Sequence, residues 1–174
     1  SFREECERCG RLRFTFEKSG VTFIALFSEY DETLNNPAQP ISKPALAYLQ
    51  KALAKIPKGR PVVVATHLCF DAITNRDEFV DTLGDTNVIL VLGGHYHKAV
   101  VSQYRGINFL QCPSPEPKSA GELAVIRITE NRLTAIPFNY RENRWVSEKG
   151  KVLDVPIKGP AKEAMQEPSA QPAK

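Results

Sequence analysis

A chain of 174 residues that is 42% hydrophobic and 25% charged has enough apolar material for one domain with a real core. Its net charge of +3 is mild, and the arginine-rich start (Arg3, Arg8, Arg11, Arg13) is broken by Glu4, Glu5 and Glu7. That pattern describes a solvated face rather than a nucleic-acid groove, and no apolar run approaches the ~20 residues of a membrane-spanning helix.

The chain begins at Ser1 and its single methionine is Met165, so it reads as a truncated or processed product. Cys6 and Cys9 have C-x-x-C spacing without a second pair to complete four thiolates. The spacing suits a local disulfide better than a structural zinc. Residues 11–28 predict a β-hairpin: Leu12, Phe14 and Phe16 alternate, Ser19-Gly20 turns, and the run from Val21 to Phe27 returns. The second strand is nearly all apolar and belongs inside a sheet. Residues 29–41 form a long polar loop punctuated by Asn36-Pro37 and Gln39-Pro40. Loops of that length are commonly functional.

Ser42 then caps a helix with Pro44 in its first turn. Leu46, Leu49, Leu53 and Ile56 form a stripe at helical spacing, with Lys51 and Lys55 on the other side, so the helix covers one face of a sheet. Pro57-Lys58-Gly59 ends it. Pro61-Val62-Val63-Val64-Ala65-Thr66 is an aliphatic strand that exits at His67. After Leu68-Cys69-Phe70-Asp71, residues 74–83 predict a short helix with Phe79, Val80 and Leu83 inward. The next strand, Val88-Ile89-Leu90-Val91-Leu92, runs into Gly93-Gly94-His95-Tyr96-His97-Lys98. Strand, helix, strand with a histidine at each exit is a β-α-β unit that brings both exits to one edge.

Beyond His97 the pattern is β throughout. Segments 99–104 and 107–112 form one hairpin and 123–129 and 133–138 another. Pro113-Ser114-Pro115-Glu116-Pro117 is a stiff, extended connection between them. From 158 to 174 the composition lacks aromatics and predicts a disordered tail. Cys69 and Cys112 read as small buried hydrophobes. Free cysteines suit a reducing compartment, whereas the tail and missing start also suit an exported parent, so the compartment stays open.

The chain has only three histidines, and each lies just past an aliphatic strand, where active-site loops of α/β sheets collect. A single histidine is ordinarily a satisfied core or surface residue. A pair after two glycines, joined by a third at an equivalent strand end, points to metal binding. In an extended segment His95 and His97 fall on one side, roughly 6.6 Å apart along the backbone. That span suits two ions about 3.5–4 Å apart, each taking one imidazole.

Gly94-His95-Tyr96-His97 resembles the final G-H-x-H motif of calcineurin-like metallophosphoesterases, and Ala65-Thr66-His67 resembles the lone-histidine motif that precedes it. Metallo-β-lactamase-like sites fit worse, because Ala99 stands where they need an aspartate. The resemblance covers about residues 11–140 and implies a mixed α/β fold, the C-terminal half of a four-layer α/β/β/α sandwich with a mixed sheet plus β-hairpins. It implies two divalent ions (Mn, Fe or Zn), with His67 and His95 on one and His97 on the other, and a phosphate-ester substrate. Tyr96 and Asp71 are candidate substrate contacts; packing beside the loop and a turn role are their plainer readings. The upstream motifs D-x-H, G-D and G-N-H-D/E do not occur in residues 1–66. The expectation is therefore that residues 1–157 are the C-terminal part of such a domain and hold no catalytic acid, base or nucleophile of their own. On that account the chain alone has little hydrolase activity. The alternative is a non-catalytic module of the same fold that binds metal or phosphate.

Overall fold

The computed structural model describes residues 12–158. The Cys6/Cys9 pair, most of the arginine-rich start and the expected tail beyond Lys158 lie outside them. The fold is mixed α/β. A six-stranded sheet has the order β1-β2-β3-β4-β6-β5, and a smaller sheet has the order β10-β8-β7 with β9 on β8.

β1 (Arg13–Lys18) and β2 (Val21–Leu26) form the expected hairpin. Its two turn residues, Ser19 at φ 50° and Gly20 at φ 76°, both have the positive φ of the tight turn that matches strand twist. β2, β3 (Val62–Thr66), β4 (Val88–Gly93) and β6 (Ile107–Gln111) run parallel, flanked by antiparallel β1 and β5 (Val100–Tyr104). The crossover helices are α1 (Lys43–Leu53) and α2 (Arg76–Leu83). Two successive crossovers that advance in the same direction with the same hand put their helices on the same face. Accordingly α1's Leu46, Leu49 and Leu53 and α2's Phe79, Val80 and Leu83 share one buried cluster with Ile24, Val64 and Phe109 of the sheet.

The helix starts follow from side-chain chemistry. Ser42 Oγ accepts from Ala45 N at 3.2 Å and Pro44 sits in the first turn of α1. α2 begins two residues later than its pattern suggested. Asn75 does not cap it; its side chain instead accepts from Ile41 N at 2.8 Å and donates to Ile41 O at 3.0 Å. That pair ties the 29–41 loop to the foot of α2.

The other face of the large sheet packs on the small one. Val21, Val63, Ile89, Leu90 and Leu110 meet Leu133 and Ala135 of β8 (Arg132–Asn139) and Leu153 of β10 (Leu153–Pro156). β7 (Glu122–Ile128) pairs antiparallel with β8 as the sequence alternation required. β9 (Arg144–Trp145) and β10 carry no sequence signal of their own: they are two and four residues long. The described residues thus make three layers, α/β/β, of the expected four. Leu123, Val125 and Trp145 of the small sheet stand exposed.

Phe79 is fully buried with its ring 6.5 Å from that of Phe109, between α2 and the sheet. Phe79→Ala should cost about 3–5 kcal/mol of stability, the usual range for deleting a buried aromatic ring. Urea unfolding of the two proteins would show the shift.

Candidate metal centre

Parallel register decides which strand exits meet. β3 and β4 are aligned with Ala65 opposite Leu92, and the ladder continues past both strands because Gly94 N donates to His67 O at 2.9 Å. Residues 28 apart in sequence therefore become neighbours at the C-terminal edge of the sheet. Cys112 N donates to Gly93 O at 2.7 Å and knits the end of β6 into the same rim.

The glycine at 93 is a matter of space. A Cβ there would stand 2.5 Å from Cys69 Cβ and 2.8 Å from Leu68 O, so the turn after His67 packs directly on the backbone of β4. Immediately beyond, Tyr96 N donates to Gly94 O at 3.0 Å around His95, whose φ is 76°. That is a positive-φ γ-turn, a rare and strained conformation that a non-glycine residue holds at a cost of order 1–3 kcal/mol. The turn folds His95 back toward His67. His95 and His97 (φ 56°) are thus both left-handed, which corrects the extended geometry expected of the motif: the two rings do not project side by side from a strand.

The result is a convergence of two imidazoles rather than three. His67 Nε2 and His95 Nδ1 are 3.1 Å apart, with the rings at 82° to each other. Metal-free, that contact is one N–H···N hydrogen bond, which requires one proton between the two nitrogens. Two imidazole nitrogens sharing a tetrahedral ion at about 2.05 Å stand roughly 3.3 Å apart, a separation close to the 3.1 Å of this pair. His97 lies apart, with Nδ1 3.6 Å from Glu116 Oε2 and its side chain about half exposed. Among the described residues, no group of three or more His, Cys, Asp or Glu could hold a metal ion.

Two further rings frame the pair. Tyr96 packs against the helix-side core and lies 4.7 Å, centroid to centroid, from His95. Tyr30 lies 5.1 Å from His67 and 4.9 Å from His95. No sequence pattern marks Tyr30; it is placed by the folded 29–41 loop. Buried Gln39 donates from Nε2 to Asp31 O at 2.7 Å and Asn36 O at 2.9 Å, and its backbone bridges Ile73. Asp71 sits exposed in a single 3₁₀ turn, Phe70–Ala72, outside the imidazole pair. At the same sheet edge, the buried hydroxyls of Ser28 and Thr66 have no hydrogen-bond partner among the described residues. Cys69 lies behind the site as a buried thiol pushed up to about 12 by desolvation, an inert packing group.

Electrostatics favour a neutral His67 ring. Burial, then the neighbouring His95, pull the His67 pKa below its ordinary 6.5; Glu32 opposes them and His97 adds to the fall. A neutral imidazole is the form that coordinates metal.

No family model matches the chain, and no curated protein sequence does. Its fold is similar to that of GAP50, described as the anchor in the inner membrane complex of Plasmodium. The TM-score is 0.58 at 16% identity, over 84% of this chain and 53% of that one. The chain therefore spans about half the length of that structure. Weaker likenesses include a Staphylococcus aureus protein assigned as a 5'-nucleotidase and solved with alpha-ketoglutarate. Its TM-score is 0.42 at 12% identity, over 89% of this chain and 31% of that one. A conserved Streptococcus pneumoniae protein described as a predicted phosphoesterase has TM-score 0.36 at 10% identity, over 77% of this chain and 96% of that one. At those scores neither carries weight for the fold or the chemistry.

Two measurements follow from this geometry. Gly93→Ala should lose about 1–3 kcal/mol to overpacking, because its new methyl meets the backbone of the turn after His67; urea unfolding would report it. A depressed His67 pKa means that the unfolded chain binds a proton which the folded one resists. Stability should therefore be complete above pH 6.5 and fall as pH drops through the folded value. An NMR titration of the His67 ring should have its midpoint below 6.5, and a midpoint above it would contradict the partial desolvation and the crowding by His95 that lower it.

Proposed function

We propose that this chain is the C-terminal part of a metal-dependent phosphoesterase, supplying His67 and His95 to one divalent ion and His97 to a second. The observation that supports the reading is the 3.1 Å approach of His67 Nε2 to His95 Nδ1 at the exits of adjacent parallel strands. A bound divalent ion would lower the pKa of a coordinated water and offset the charge that builds on a phosphoryl group. The protein's own part is positional. Gly93 lets two strand ends close on each other, the γ-turn aims His95, and partial desolvation with the neighbouring His95 lowers the His67 pKa. Tyr30 and Tyr96 wall the pair and limit access of water from their sides. Tyr96 and Asp71 are then the residues proposed to meet a phosphate-ester substrate, Tyr96 beside His95 and Asp71 from the turn after His67.

Such a centre needs a carboxylate to hold two ions together, and the described residues bring none to the pair. On this reading the carboxylate belongs to polypeptide upstream of Ser1, and this chain by itself turns over phosphate esters at background rate. A second reading is a non-catalytic module of the same fold. It is favoured by the small ligand set and by the likeness to GAP50, a protein described as an anchor.

Isothermal titration with Mn²⁺ and a nitrophenyl phosphodiester assay separate the two. The fragment reading expects one ion bound per chain, loss of that binding in His67→Ala and His95→Ala, and no hydrolysis above background. Rapid metal-dependent cleavage by the 174-residue chain would overturn its incompleteness. Absence of any Mn²⁺ binding would leave the module reading.

A further inference from the structure

Between α1 and the β1–β2 hairpin lies a groove of about 340 Å³, at the small end of the usual range of about 300–1,000 Å³ for ligand pockets. Its helical wall follows from residue spacing. On α1 and the tightened turn that continues it, Tyr48, Ala52 and Ile56 recur at intervals of four and form an inner row. The small side chain of Ala52 between two larger ones leaves the gap. Lys51 and Lys55 recur at the same interval as an outer, exposed row. Neither ammonium has an ion-pair partner among the described residues.

On the hairpin side, strand alternation decides what faces the groove. Ile24 and Leu26 of β2 belong to the helix-side cluster, whereas Val21 and Phe23 belong to the inter-sheet cluster. Thr22 therefore points to the helix side. Its register partner Glu17, and Thr15 opposite Ile24, share that face. Glu17 is paired with Arg60 at 2.6 Å, which offsets its charge. Thr22 is 3% exposed, and its hydroxyl has no hydrogen-bond partner among the described residues. A buried hydroxyl left unpaired is destabilising, and a ligand oxygen would satisfy it. Lys51 has a plainer role as well, since an ammonium in the last turn of a helix offsets the helix dipole. That role accounts for neither the unpaired hydroxyl nor the gap at Ala52.

We propose that this groove binds a small organic anion. Its apolar body lies along Tyr48, Ala52 and Ile56, its oxyanion is turned toward Lys51 and Lys55, and the Thr22 hydroxyl donates to it from the floor. The balance of charge fits an anion, with two ammoniums and Arg60 against the single carboxylate of Glu17. Thr22 pairs with Val62, the first residue of β3, so the groove lies at the opposite end of the parallel strands from the histidines. The site is therefore independent of the metal reading.

The test titrates the isotope-labelled 174-residue chain with phenyl phosphate, in the presence of a chelator, and follows the amide spectrum. Saturable shifts should centre on residues 15–22 and 48–56, with a Kd of about 1 mM or below, as expected for a ligand of this size. Inorganic phosphate lacks the apolar body and benzyl alcohol lacks the charge, so each should bind at least about tenfold more weakly. Combining Lys51→Ala with Lys55→Ala should weaken phenyl phosphate binding by about tenfold or more. Ala52→Leu, which fills the gap, should abolish it. Thr22→Val should weaken binding several-fold yet leave the urea midpoint unchanged or raised, because a methyl replaces an unpaired buried hydroxyl. Amide spectra unchanged away from the groove would show that the variants are folded. Equal binding of inorganic phosphate would mean an adventitious ion only and would overturn the assignment. So would equal binding of benzyl alcohol, the absence of saturable shifts, shifts centred on His67 and His95, or affinity indifferent to Thr22→Val and Ala52→Leu.

Discussion

The structure depends on one alignment: the parallel pairing of β3 with β4, extended one step by the hydrogen bond from Gly94 to His67. A shift of that register by a single residue would turn alternate side chains to the opposite face. It would move Val64 and Val91 out of the helix-side core and separate His67 from His95. The same pairing therefore holds the fold and the site. Close packing makes it stringent, since the chain after His67 lies against Gly93 with no space for a methyl group.

Around that alignment the two faces of the large sheet do different work. The helix face is filled by stripes from α1 and α2 and by the aromatic pair Phe79 and Phe109. The other face is filled by alternating residues of the small sheet. Both faces of the strand interiors are covered, and positive-φ backbone at His95 and His97 lies at the C-terminal rim. The 29–41 loop folds onto the same rim through Gln39 and Asn75. The strain is local and the support is global, which is the usual relation between a site and its scaffold.

The rim brings two kinds of group together by different means. His67 and His95 are delivered by strand ends and are placed to within the spacing of a shared ion. His97 and Glu116 are delivered by loops, the second of them held by hydrogen bonds from Arg141 to the backbone of Glu116 and Pro117. The likeness to GAP50 concerns the architecture and extends over about half of that protein. What this rim does in chemistry rests on the groups its own residues bring there.

The sequence by itself determined the elements with strong periodicity: the first hairpin, the stripe of α1, the two aliphatic strands with a histidine at each exit, and the paired strands 123–129 and 133–138. Those patterns are legible because burial on one face forces apolar residues to recur at the period of the backbone. It also singled out the three histidines, because they are few and all follow strands. Only the tertiary structure decided that His95 turns back while His97 diverges, since a γ-turn at a histidine leaves no compositional mark. β9 and β10, Tyr30, Glu116 and Arg141 were likewise beyond the sequence. The two strands are too short to show a period. The three side chains meet partners 19 to 65 residues away, which no local pattern encodes.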